Sequence, residues 1–175
     1  MGGDPDRQEI PVNPAVPTGA LLVRPRHTGD PPGRPVPVHD AGAPYRGPGP
    51  VQVAAALAVT AGPDPAVRGA LLISGADGPR AVVLGPVVAP LAGPDLRLVG
   101  CTVHVGGLPA GTGAGAAAVP ASGPWAVTAG HDPGVTVLFG PITAPAPATG
   151  RTTATAVFGR GLGPVTVRLH PEGDS

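Results

Sequence analysis

From Leu96 to Gly107 the chain reads Leu-Arg-Leu-Val-Gly-Cys-Thr-Val-His-Val-Gly-Gly. Cys101, Val103 and Val105 alternate with Thr102 and His104, the period-two pattern of a strand with one buried face. Leu96, Leu98 and Val99 make a short apolar run before it, and Gly100 between the two marks a bend or bulge. The stretch predicts strand, bend, strand. Other short apolar runs share this punctuation: Ala70–Ile73, Ala81–Leu84, Pro86–Ala89, Trp125–Thr128, Val135–Phe139, Thr153–Phe158 and Pro164–Leu169. Most are bounded by Gly, Pro or Asp. None has the 3.6-residue spacing or the length of a helix, so the pattern predicts an all-β chain. Val51–Gly62 is ambiguous: its Ala run permits a helix, but the flanking Val-Gln-Val and Ala-Val-Thr favour a strand, and a strand is predicted.

Repeats refine the expected architecture. Val82–Pro90 matches Val137–Pro145, and Ala-Val-Thr-Ala-Gly occurs at 58–62 and again at 126–130. Runs beginning at Ala70, Leu96, Trp125 and Thr153 are spaced by roughly 27 residues, a period that suits stacked coils of a solenoid. Stacked coils would cover each other's Val and Leu, with Gly and Pro at the corners and residues 106–124 thrown out as a loop. The expected organisation is an extended Pro/Gly-rich arm (1–50), a β-rich body (51–171) and a short tail (172–175). In the arm only Ala20–Val23 reads as strand, and Pro31, Pro32, Pro35 and Pro37 favour extended, polyproline-like backbone.

The segment Leu96–Leu108, a Pro-rich spacer, then Val135-Thr136-Val137 and Gly140-Pro141-Ile142 resembles right-handed parallel β-helix modules of large bacterial surface proteins and phage-tail-like assemblies. The resemblance covers residues 94–145 and contains no catalytic residue. It implies a right-handed β-helix body and a structural or surface-binding role. A β-sandwich is the alternative fold.

Composition narrows the core. Gly (29) and Pro (27) are together about a third of the 175 residues, which without a period signals disorder, yet 42% of the chain is hydrophobic. Aromatics are confined to Tyr45, Trp125, Phe139 and Phe158, so the core must be thin and aliphatic. All eleven basic residues are Arg, a bias expected from high-GC coding in a bacterium or phage. The formal net charge is zero, which gives no electrostatic case for nucleic acid or an anionic membrane. No apolar span reaches membrane length, and no signal peptide is evident. The single Cys101 forms no internal disulfide, so the compartment is undetermined.

Candidate chemistry is sparse. Ala126–Asp132 resembles the histidine motif of chymotrypsin-like serine proteases, which implies His131 as a general base; Asp132 stands where that motif has Cys. Gly173-Asp174-Ser175 is similar to the nucleophile motif but lacks the glycines that help build an oxyanion hole. His131 is therefore a remote catalytic candidate, and a turn histidine is the plainer explanation. Cys101 and His104 lie three apart on a strand and so face opposite sides, a poor metal pair. Gly111–Ala116 lacks the Lys of a phosphate loop. The paired acids Asp4/Asp6 and Glu172/Asp174 are terminal, while Asp64, Asp77 and Asp95 sit in turn-like contexts. Trp125 is the one binding candidate, as a stacking platform for a sugar or other ligand.

The expected function is thus non-catalytic: a structural or interaction module, part of a phage-tail-like or other large assembly. Neither enzymatic activity, nor a cofactor, nor a metal is expected. The expected partner is another protein or a second copy, because raw coil ends need covering. The alternatives are a carbohydrate- or ligand-binding β-sandwich using Trp125 and a serine hydrolase relative using His131.

Overall fold

The computed structural model describes residues 20–24, 35–92, 95–129 and 131–172. Thirteen strands, two 3₁₀ turns and a single α-helical turn are found among them. The strands are β1 (Ala20–Arg24), β2 (Pro35–His39), β3 (Tyr45–Pro48), β4 (Val51–Thr60), β5 (Ala66–Gly75), β6 (Gly78–Leu84), β7 (Ala89–Pro90), β8 (Gly100–Val105), β9 (Leu108–Ala114), β10 (Thr136–Pro141), β11 (Ala146–Ala148), β12 (Thr152–Phe158) and β13 (Gly163–Glu172). The α-helical turn, α1, is Pro124–Thr128.

One sheet runs β11-β4-β10-β1-β2-β6-β5-β7, and β5 also pairs with β4. That extra pairing closes a hydrogen-bonded ring of six strands, β4-β10-β1-β2-β6-β5. The second sheet, β3-β13-β12-β8-β9, packs against one wall of the ring. Two apolar clusters follow from the pleat, which turns successive side chains to opposite faces. Val36, Ala56, Ala58, Ala70, Leu72, Val82 and Leu138 form one cluster, on the inner side of the ring strands. Their neighbours of opposite parity, such as Leu57, Val59, Leu71, Val83 and Phe139, join Cys101, Val103, Ala156, Val167 and Leu169 between ring and second sheet.

This explains Val51–Gly62. Every residue from Val53 to Val59 is buried, because β4 has the ring interior on one face and the second sheet on the other. A strand buried on both faces shows a continuous apolar run in place of alternation. The small Ala side chains suit the narrow ring. On the neighbouring strand, Pro141 of β10 lacks an N–H, and the ladder slips between Phe139 and Pro141. The backbone is satisfied nonetheless: Ile142 N–H donates to Ala55 O at 2.7 Å, and Ala55 N–H donates to Thr143 Oγ1 at 2.9 Å.

The solenoid expectation is corrected. The pairings β4/β5, β5/β6, β8/β9, β8/β12 and β12/β13 are antiparallel, whereas stacked coils require parallel neighbours. The supposed rungs also differ in kind: Leu96–Leu98 is a 3₁₀ turn and Trp125–Thr128 lies in α1. The all-β prediction stands, and two curled, packed sheets fit the sandwich alternative better than a β-helix. Residues 106–124 are not a protruding loop, since β9 pairs with β8 and a 3₁₀ turn follows at Gly115–Ala117. Within the segment 1–50, β1, β2 and β3 are paired in the two sheets.

Candidate functional site

A cleft of about 540 Å³ opens where the irregular segments meet. Pro65 and Leu91 form part of its wall, the 3₁₀ turn contributes Asp95 and Arg97, and Val119 and α1 complete it. Its size falls within the range of small-molecule sites. A shallower groove of about 460 Å³ adjoins it and shares Pro65, Leu91 and Ala92.

Local sequence builds each wall. Asp95 Oδ1 accepts the Arg97 backbone N–H at 3.0 Å, capping the turn. Leu98 N–H then donates to Asp95 O at 3.0 Å. Leu96 points into the core, and Arg97 is left exposed. Gly115 lies behind this turn; a Cβ there would run into Leu96 O, so the position needs glycine for close backbone approach. Opposite, Gly123 has φ 85° and leads into Pro124 at the start of α1. The Trp125 indole lies over Gly123, where any Cβ would meet the ring. Trp125 is nevertheless 65% exposed. The cleft therefore presents a guanidinium, a carboxylate and an indole face on otherwise apolar walls.

The other sequence candidates fall elsewhere. His131 follows α1, and its Nδ1–H donates to Val127 O at 3.0 Å. It does not line the cleft. Ser175, Asp4, Asp6 and Asp174 lie outside the described residues. Cys101 is buried and its thiol is pushed up to about 12 by desolvation, which keeps it protonated and a poor nucleophile. His104 lies on the opposite face of β8, opposite Thr155 of β12. Gly111–Ala114 belongs to β9. Among the described residues no three His, Cys, Asp or Glu side chains come together as a metal site. Sequence reasoning singled out Trp125 but missed Arg97 and the carboxylate beside it; the one available signal was Asp95 immediately before Leu-Arg, a turn-capping pattern.

No family model and no curated protein matches the chain in sequence. Solved structures do match in fold. One is 4-oxalocrotonate decarboxylase from Pseudomonas putida G7, complexed with calcium and acetate, with a TM-score of 0.56 at 21% identity over 76% of this chain. The chain spans 63% of that decarboxylase's length. A second is 2-hydroxyhepta-2,4-diene-1,7-dioate isomerase from Mycobacterium marinum, with a TM-score of 0.68 at 15% identity over 89% of this chain and 75% of the isomerase. A third is maleylpyruvate hydrolase from Sphingobium sp. SYK-6, in complex with manganese(II) ion and pyruvate, with a TM-score of 0.64 at 12% identity over 87% of this chain and 70% of the hydrolase. The shared feature is the fold.

Three expectations are thereby corrected. The β-helix resemblance is overturned, because these neighbours have a curled sheet and no parallel coils. The structural-module function and the expectation of no enzyme are overturned with it, since the neighbours are a decarboxylase, an isomerase and a hydrolase. No helix among the described residues is long and apolar enough to cross a membrane.

Two of those neighbours hold a divalent cation. The donors described here do not fit one. Hard cations take several oxygen ligands, and the described part of the cleft brings a single carboxylate, Asp95, close in sequence to the cationic Arg97.

Proposed function

We propose that this chain is an enzyme that binds and turns over a small carboxylic acid, of the oxo-acid kind, in the cleft between the Asp95–Arg97 turn and α1. One observation carries the proposal: on a fold shared with enzymes, a cleft of about 540 Å³ combines one guanidinium, one carboxylate and an exposed indole. Arg97 anchors the substrate carboxylate, for which its planar donor fork is well shaped. Trp125 gives the unsaturated part of the substrate a flat wall to stack on. Asp95, already tied to the turn by the Arg97 N–H, is the group placed to take up and return a proton. Leu91, Leu96 and Val119 exclude water from the inner side.

Trp125 is the only tryptophan, so its emission reports on the cleft alone. Titration with pyruvate and with adipate should change that emission saturably. Arg97→Ala should weaken binding about tenfold or more, the worth of a charged hydrogen bond. A panel of oxo acids followed for decarboxylation, hydrolysis and isomerisation identifies the reaction. Unchanged emission with both acids, together with no turnover of any oxo acid, overturns the proposal.

A further inference from the structure

The outer face of the second sheet carries an unbalanced group of arginines. Along β13 the side chains alternate, with Val165, Val167 and Leu169 buried and Thr166 and Arg168 exposed. His170 stands opposite Arg46 of β3, and Arg168 opposite Thr153 of β12. Arg151 immediately precedes β12, whose Thr152 is opposite Leu169, so the register brings Arg151 alongside His170 on the other side. Neighbouring strands lie about 5 Å apart, which gathers Arg46, Arg151 and Arg168 around His170 within roughly 10 Å. All three arginines are exposed. The register places one acid near them, Glu172, two residues beyond His170 on β13 and opposite Pro48 of β3, so the arginines outnumber it.

His170 registers the resulting field. Desolvation of its ring, followed by the charges of Arg151, Arg46 and Arg168, lowers its pKa below the ordinary histidine value. Its Nδ1 is buried without a hydrogen-bond partner. Further along β13, about 13 Å from His170, the Thr155 and Thr166 hydroxyls are bonded to each other at 3.0 Å. Like charges held side by side on a sheet are destabilising in isolation. A partner that supplies carboxylates relieves that repulsion.

We propose that this face of β3, β12 and β13 docks an acidic surface of another protein, with Arg46, Arg151 and Arg168 pairing to its carboxylates. Three features favour protein acids over nucleic acid. The cationic group is compact, it holds only arginines suited to forked carboxylate pairing, and the chain as a whole has no net positive charge to draw a long polyanion. The face is formed by strands outside the cleft, so the proposal does not depend on the cleft's chemistry.

The test uses the full chain and labelled poly-L-glutamate at low salt. Saturable binding is expected, weakened about tenfold or more by Arg46→Glu combined with Arg168→Glu. Arg160→Glu, in the turn between β12 and β13, is the charge-matched control for Arg168→Glu alone and should bind nearly as the unmodified chain does. Bound carboxylates favour the imidazolium, so the NMR titration of His170 should move to higher pH when poly-L-glutamate is added. Thermal unfolding of the double variant within a few degrees of the parent excludes misfolding as the cause. No binding, or binding that the double reversal leaves unchanged, overturns the proposal. So does tighter binding of a short DNA duplex than of poly-L-glutamate. Self-association that the reversal abolishes also overturns it, by assigning the face to a second copy.

Discussion

Ala-Val-Thr-Ala-Gly occurs twice, and the two copies fold differently. At 58–62 the first three residues end β4, paired to β5 on one side and β10 on the other. At 126–130 the corresponding three residues belong to α1. The pentapeptide has no strong preference of its own, so the surroundings choose. Val59 is completely buried between ring and second sheet. Val127 is half-buried at the edge of the same core. In the first copy ladder hydrogen bonds and apolar burial act together. In the second, Gly123-Pro124 starts a helical turn near the surface, where local hydrogen bonds and the half-buried Val127 hold it.

The largest expected difference lies at the two valines. Val59→Ala removes buried methyls and leaves a cavity in the inter-sheet core, a loss of about 2 kcal/mol. Val127→Ala should cost below about 1 kcal/mol, since part of the side chain is already in water. Chemical denaturation of both variants measures the gap. Equal losses would mean that the α1 copy is held as firmly as the β4 copy, and the contrast drawn here would fail.

The same contrast shows what could be read from the chain. β8 and β12 were legible because each has one wet face: Ala154, Ala156 and Phe158 are buried, while Thr153 and Val157 are exposed. β4 was only half legible, because double-sided burial erases the alternation that separates strand from helix. Leu96–Val99 and Trp125–Thr128 were misread as strands. Both are short and bounded by Gly, Pro or Asp, and their conformation is set by caps, the Asp95 carboxylate in one case and Gly123-Pro124 in the other. The spurious period of about 27 residues counted these two turns as rungs. Nor could the ring be foreseen, since its closure joins β1 to β10, strands far apart in sequence, by a parallel pairing that no local pattern announces. For the site, the Trp125 side chain stood out in sequence. Its position across a cleft from Arg97 is a product of tertiary folding.

A smaller difference is expected at the two threonines. Thr128 is buried, and its hydroxyl donates within the helical turn, to Pro124 O at 3.2 Å and Trp125 O at 3.3 Å. Thr128→Val removes that donor while keeping the shape, at a cost of about 1 kcal/mol. Thr60 ends β4 between Thr136 and Ala66 and is half-exposed. A β-branched replacement there is well tolerated, so Thr60→Val should stay within about 0.5 kcal/mol of the parent. The order of effects reverses that of the valines. This reversal is the sharper test, because it separates bond-held from burial-held structure; a larger loss at Thr60 than at Thr128 would contradict it.

The smallest effect concerns the residue just after the second copy. His131 donates its Nδ1–H to Val127 O, one of the last carbonyls of α1. A ring donor at this position adds a hydrogen bond to a carbonyl at the helix C-terminal end, where donors are favourable. His131→Ala should therefore cost only about 0.5 kcal/mol, the usual worth of a group interacting with a helix C-terminus. The first copy has Pro63 at the equivalent place, in the turn after β4, whose own carbonyls are paired in the ladder. A general base behaves differently. If His131 activated a serine, a serine-reactive phosphonate would label the parent chain, and His131→Ala would abolish the labelling with little change in stability. Absence of an adduct on the parent, together with the small stability loss, assigns His131 to holding α1 in place. Since α1 carries Trp125, the variant should then disturb the cleft slightly, visible as a modest shift in tryptophan emission without loss of acid binding.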